Sequence, residues 1–267
     1  MSETPDGITG AIDRAVDYIQ GHGGPFQLAR LSALFAALPP KSRDDGPSHI
    51  PAAPAINQNS DGGWPARWSE GASSLDATCF LLDRLSDFTA PPPAVDIPAA
   101  IAFLGSAQLD DGTWREGPSH RTPDWLMPGS AAARVYLTAN CARTLVIHHG
   151  DHAAIERAAQ ALEWSLDPLG RLPGPLVAHW LAARVFRAVA LDLAARRALD
   201  VVGRSFDKLD ATDLAGFGSN MTRGDRWTRR IAARLVVLQE GDGSWRDEDG
   251  EPSVDVSVTA CRVLLRA

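Results

Sequence analysis

"QNSDGGW", Gln58 to Trp64, returns in the same frame as "QLDDGTW" (Gln108 to Trp114) and "QEGDGSW" (Gln239 to Trp245). Around each Q-x-x-x-G-x-W, apolar residues recur at i, i+3 and i+4, the period of an amphipathic helix. "IPAAIAFLGSA" precedes Gln108 and "DRWTRRIAARLVVL" precedes Gln239, while "SSLDATCFLLDRL", "GSAAARVYLTANCARTLVI" and "PSVDVSVTACRVLLRA" follow the three tryptophans. The unit is therefore helix, turn, helix. A degenerate copy, "LDPLGRL" (Leu166 to Leu172), keeps the glycine and has leucine in place of Gln and Trp. An N-terminal pair, "ITGAIDRAVDYIQ" and "FQLARLSALFAAL", is joined by "GHGGP", and residues 192–225 read as one further, irregular unit. About five or six such pairs predict a closed ring, because a short open array leaves both ends uncovered. The expected fold is all-α, a single α/α toroid domain spanning residues 1–267.

Each conserved letter of the turn has its own physical task. Glycine takes the positive φ that ends a helix, the Gln amide both donates and accepts at helix-end groups, and Trp covers apolar surface between neighbouring pairs. The turn reads as a staple.

Composition narrows the function. A net charge of −7 disfavours nucleic acid, whose binding needs clustered positive charge. "MSETPDGITG" has no basic segment followed by an apolar one, and no apolar run is long enough to span a bilayer, so a cytoplasmic protein without a transmembrane segment is expected. Cys79, Cys141 and Cys261 form no C-x-x-C pair and read as buried free thiols.

The repeated turns in matching helical context resemble the QW repeats of the terpenoid cyclase and protein prenyltransferase superfamily, those of squalene-hopene cyclases in particular. The resemblance covers roughly residues 55–267. It implies a toroid with a mostly apolar central pocket, and speaks to fold more than to activity.

Alignment of the helices after each turn on Thr78, Thr138, Thr259 and Leu181 gives two polar levels. Asp76, Tyr136, Ser257 and His179 stand two residues before the anchors; Ser74, Arg134, Asp255 and Val177 stand four before. Helix capping accounts for Ser74, Ser257 and Asp255 as readily as a binding role does, but explains Tyr136 and His179 poorly.

Proton-initiated cyclases carry D-x-D-D-T-A here, the middle carboxyl being the acid. "SLDAT" keeps that position as Asp76, followed by Thr78, with Ser74 and Ala77 replacing the outer carboxylates; "DVSVTA" keeps the first as Asp255 and has Ser257 in the middle. The resemblance thus implies Asp76 as the acid, with His179 and Tyr136 as catalytic partners at its level. Burial or a nearby anion must hold a lone carboxylic acid protonated.

The zinc site of prenyltransferases, a D-x-C pair with a His, is not matched: Asp76 and Cys79 are one residue too far apart. Neither Asp44-Asp45 nor Asp110-Asp111 continues as D-D-x-x-D, and "HHGDH" (His148, His149, His152) reads as a solvated turn. No metal or other cofactor is expected. With Lys41 and Lys208 the only lysines, a diphosphate would fall to arginines such as Arg134.

Phe26, Phe80, Tyr136, Trp180 and Phe186 are candidates to line an apolar pocket and stabilise a cation, with core packing as the alternative. The Pro-rich segment 39–71, with Trp64 and Trp68, is too long for a passive connection and is expected to cover a ring mouth. The loop from Trp114 to Ser130, carrying Trp125, His120 and Asp124, is a second candidate cover.

The expected function is a small terpene-cyclase-like enzyme, an isomerase or lyase, acting on an isoprenoid or similarly apolar substrate. Asp76, His179 and Tyr136 are its catalytic residues; Phe26, Phe80, Arg134, Trp180, Phe186, Asp255, Ser257 and Trp125 contact substrate. A hydratase, lyase or isomerase on the same scaffold, or a non-catalytic toroid binding a lipid, peptide or partner protein, are the alternatives.

Overall fold

The computed structural model describes residues 5–38, 56–117 and 120–267. The chain is all-α, with eleven α-helices among the described residues: α1 (Pro5–His22), α2 (Pro25–Ala36), α3 (Leu75–Leu85), α4 (Ile97–Ser106), α5 (Ala131–Ile147), α6 (His152–Trp164), α7 (Val177–Ala188), α8 (Asp192–Ser205), α9 (Ala211–Ser219), α10 (Arg226–Leu238) and α11 (Val254–Leu264). Two short antiparallel hairpins frame the first and last Q-x-x-x-G-x-W turns: β1 (Trp64–Pro65) with β2 (Ser73–Ser74), and β3 (Trp245–Arg246) with β4 (Pro252–Ser253). Trp64 pairs with Ser74 and Trp245 with Ser253.

The helices form two compact units. One contains the described residues of Met1–Pro54 with Asp87–Pro92 and Asp207–Ala267; the other contains those of Ala55–Ser86 and Pro93–Phe206. Helix starts follow local chemistry. Ser74, Asp96, Ser130, Asp151, Asp210, Asp225 and Ser253 each accept a backbone N–H from the first turn of their helix, satisfying donors that have no partner within it.

All three Q-x-x-x-G-x-W turns fold alike. The Gln amide closes its own turn by donating to Gly62 O, Gly112 O or Gly243 O, and also donates to another helix, at the N-cap (Asp96 O), the first turn (Ala154 O) or further in (Ala11 O). The glycine makes this docking possible. Gly243 sits at φ 91°, where a Cβ would meet Arg14 O of α1 at 2.1 Å; Gly112, at φ 79°, would meet Arg157 O of α6 at 2.6 Å. Trp64, Trp114 and Trp245 are almost fully buried, and the indole N–H groups of the last two donate to Leu104 O and Leu235 O. "LDPLGRL" repeats the geometry without Gln or Trp: Gly170 has φ 81° and Asp167 bridges the turn by accepting from Leu169 N–H and Arg171 N–H.

In the second unit α5 packs against α3, α6 and α7, and its buried residues run from Ala133 to Leu145. In the first unit α11 packs against α1, α2 and α9. A buried ion network lies there: Arg30 Nε and Arg262 Nη1 donate to opposite oxygens of Asp87 at 2.8 and 3.1 Å, and Arg30 Nη1 reaches Asp255 at 2.9 Å. The cover role expected for residues 39–71 concerns a segment whose first part, 39–55, lies outside the described residues.

Candidate functional site

One hydrogen bond fixes the register of the helices that follow the turns. The backbone N–H at the Trp position donates to Thr78 Oγ1 at 3.0 Å in the first copy, to Thr138 Oγ1 at 3.2 Å in the second and to Ser257 Oγ at 3.2 Å in the last. In the degenerate copy Leu172 N–H donates to His179 Nε2 at 3.0 Å. Thr78, Thr138, His179 and Ser257 are thus the equivalent residues. The alignment on Leu181 and Thr259 runs two residues too far in those copies, and the residues that correspond to Asp76 in the other repeats are Tyr136, Val177 and Asp255.

This register changes the reading of His179. Its Nε2 accepts from Leu172 and its Nδ1 lies 3.2 Å from Leu176 O, so both ring nitrogens serve the turn. Burial lowers its pKa, favouring the neutral ring that this donor–acceptor pattern requires. His179 stands at the level of Thr78, not of Asp76, and holds the turn as the threonines do. Ser257 is likewise fully buried in that role.

Asp76 and Tyr136 are brought together. The Tyr136 hydroxyl donates to Asp76 Oδ1 at 2.7 Å, and Asn140 Nδ2, one turn further along α5, donates to the same oxygen at 3.3 Å. Behind them stands Glu116, which the sequence reading did not single out. Its Oε1 accepts from Ser74 Oγ at 2.7 Å and Asp76 N–H at 3.0 Å; its Oε2 accepts from Leu75 N–H at 3.3 Å and lies 3.0 Å from His120 Nδ1. A nearly inaccessible carboxylate therefore occupies the N-terminus of α3, where exposed N–H groups and the helix dipole favour an anion. Ser74 caps α3 while donating to Glu116.

Burial is the main cause that pushes the Asp76 carboxyl up to about 6; the Tyr136 hydrogen bond opposes it, the Glu116 charge adds to it, and the Asn140 hydrogen bond opposes it again. The Tyr136 hydroxyl is raised well above its usual range by burial and then by Asp76. It remains a donor. Beneath the pair, the Cys79 and Cys141 sulfurs lie 3.8 Å apart. Above it, Trp125 meets the Tyr136 ring edge-on at 5.6 Å between centroids, and Trp68 meets Trp125 edge-on at 6.5 Å. Trp125 is about half exposed, so an indole open to solvent stands over the Asp76–Tyr136 pair.

The remaining candidates divide by burial. Phe80 is half exposed one turn beyond Asp76, with the Arg84 guanidinium over its ring. Trp180 and Phe186 are enclosed in the core of the second unit and present no surface to a ligand. Phe26 belongs to the first unit and stacks on Phe88. Asp255, which corresponds to Asp76 in its own repeat, is held by Arg30. Arg134 lies at the surface with its Nη1 3.7 Å from Asp111 Oδ2, away from the Asp76 carboxyl's hydrogen-bond partners. Asp124 is exposed. Among the described residues, no group of three His, Cys, Asp or Glu side chains is arranged to hold a metal, and no helix is long and apolar enough to cross a membrane.

No family model matches the chain, and no curated protein matches it in sequence. Among solved structures it is similar to the apo form of the type II terpene cyclase MstE from Scytonema, with 13% identity, a TM-score of 0.40 and coverage of 97% of this chain and 98% of that one. The chemical assignment rests on the site's own residues.

Proposed function

We propose that the protein is a small cyclase-like enzyme in which Asp76 transfers a proton to an isoprenoid or similarly apolar substrate. The observation that carries this reading is the environment of the Asp76 carboxyl: largely buried, oriented by Tyr136 and Asn140, and raised to about 6. A carboxyl of that pKa exists in both protonation states near neutrality, the condition for effective general acid–base work. Glu116 supplies from a distant turn the neighbouring carboxylate that "SLDAT" lacks relative to D-x-D-D. Trp125, beside Tyr136, offers an aromatic ring to a developing positive charge.

Water addition to an activated, carbonyl-conjugated double bond is the second reading, favoured by the same mild acidity, since such an addition does not need the strong acid that protonates an unactivated alkene. Lipid extracted from the purified protein and identified by mass spectrometry supplies a substrate to test. Ring closure leaves the product mass unchanged, whereas hydration adds one water. Asp76→Asn should lower either turnover by about 10² or more. Full activity in that variant would refute the assignment.

A further inference from the structure

Within the second unit, α4, the end of α5 and the turn into α6 enclose a cleft of about 580 Å³, a size ordinary for small-molecule sites. One face of α4, from Ile97 and Pro98 through Ile101 and Ala102 to Gly105, makes one wall. Leu145, His148, His149 and Asp151 stand opposite. None of these residues takes part in the hydrogen bonds around Asp76.

The α4 wall departs from its counterparts. Helices α1, α4 and α6 each receive the Gln amide of a turn, but α1 carries Asp13, Arg14 and Asp17 and α6 carries Glu156, Arg157 and Glu163, whereas α4 has no charged side chain. A helix without a polar face is normally covered. Here Pro98 and Ala102 are exposed, and Ile97, Ile101 and Gly105 partly so. Gly105 weakens the helix, and packing does not demand it, since a Cβ there would meet nothing within 4 Å. Its missing side chain keeps the cleft open. Across from it the turn sits close: a Cβ on Gly150 would meet Leu145 Cδ2 at 2.8 Å and Ile101 Cγ2 at 3.3 Å.

The stretch "HHGDH" was expected to be a solvated turn, and His149 and His152 are exposed, but His148 is not. Its Nε2 is closed to water and has no hydrogen-bond partner among the described residues. Burial is the main cause that lowers the His148 pKa, with the Leu82 backbone hydrogen bond opposing it, so the ring is neutral near neutrality. A buried polar nitrogen left unpaired is unfavourable. A hydroxyl both donates and accepts, and so satisfies this nitrogen in either tautomer of the ring. An ionised group would lose its hydration against an apolar wall, and the Asp151 carboxylate already accepts Ala153 N–H at the start of α6.

We propose that this cleft is a second binding site, which takes a small uncharged alcohol: its compact apolar body lies on Ile97, Ile101 and Leu145, and its hydroxyl bonds to His148 Nε2. A slight turn of the imidazole, of the kind common when ligands bind, brings that nitrogen to the hydroxyl. The site is independent of the proton-transfer reading of Asp76.

Amide NMR titration of the full chain with cyclooctanol tests this. Saturable shifts should appear in α4 and in residues 145–151. Gly105→Leu sets a side chain into the cleft without pressing on the fold, and should weaken binding about tenfold or more. His148→Phe keeps a ring of similar size but removes the hydrogen-bonding nitrogen, and should weaken it about tenfold. Asp76→Asn should bind like the wild type. Absence of saturable binding, or unchanged affinity in Gly105→Leu, overturns the site. Weakening in Gly105→Leu with unchanged affinity in His148→Phe overturns the role of the hydroxyl. Binding lost in Asp76→Asn would put the alcohol at Asp76 and overturn the proposal as well. If His148→Phe does not fold, Gly105→Leu still decides whether the cleft is the site.

Discussion

Glu116 Oε1 accepts the backbone N–H of Asp76 at 3.0 Å, so one carboxylate holds in place the residue that carries another. The two groups interact in two ways. Glu116 fixes the first turn of α3, and its charge makes ionisation of Asp76 harder. Glu116→Gln keeps the size and removes that charge, so the Asp76 carboxyl should titrate at a lower pH than in the wild type. Carbon-13 NMR of labelled aspartate, with Asp76→Asn identifying the resonance, measures this. An unchanged midpoint would mean that burial alone sets the value.

The raised pKa also has a stability consequence. A carboxyl at about 6 in the fold, against an ordinary value of 3.8, binds its proton more tightly when folded. Its favourable contribution is complete below the unfolded pKa and is lost as pH rises through about 6. Asp76→Asn cannot ionise. Relative to wild type its melting temperature should therefore gain as pH rises, most steeply between 3.8 and about 6, and level off above that; a pH-independent difference would contradict the raised value.

His179 should prove to be a turn residue. His179→Ala removes the acceptor for Leu172 N–H and should cost about 1 to 3 kcal/mol, the usual penalty for a buried donor left unsatisfied. His179→Thr installs the residue used at Thr78 and Thr138, and should recover part of that loss. The Asp76 titration should be the same in both variants. A shift in it would return His179 to the site.

The staple residues should behave alike in both units. Trp114→Ala and Trp245→Ala each remove a fully buried indole with its hydrogen bond and should cost roughly 3 to 5 kcal/mol. Gly243→Ala should also destabilise strongly, because its Cβ would press on Arg14 O at a positive φ. Thermal unfolding of each variant checks these values, and unchanged midpoints would remove the staple role.

What the sequence made legible was local. Gln, Gly and Trp recur at fixed spacing because each turn makes the same bonds to itself and to a neighbouring helix, so the motif and the all-α class could be read directly. The helix register was harder. Two copies use Thr for the bond to the turn, but the last uses Ser257 with Thr259 close behind, and the degenerate copy uses an imidazole. Anchoring on Leu181 and Thr259 therefore displaced His179 and Asp255 by two residues. Glu116 left a fainter trace: it reaches Asp76 from 40 residues away, and its only signal was the absence of the outer carboxylates in "SLDAT". Trp180 and Phe186 could not be told from pocket residues, because an apolar stripe looks the same whether it faces a cavity or a core.

The most direct test of the central claim follows solvent hydrogen into product. The apolar compound recovered from the protein is incubated with enzyme in heavy water, and the product is analysed by mass spectrometry and NMR. If Asp76 delivers the proton, the wild-type product carries one solvent-derived deuterium at the carbon attacked, and Asp76→Asn forms that product about 10² or more times slower while remaining folded. Product without solvent deuterium, or equal rates in the two proteins, would contradict the account.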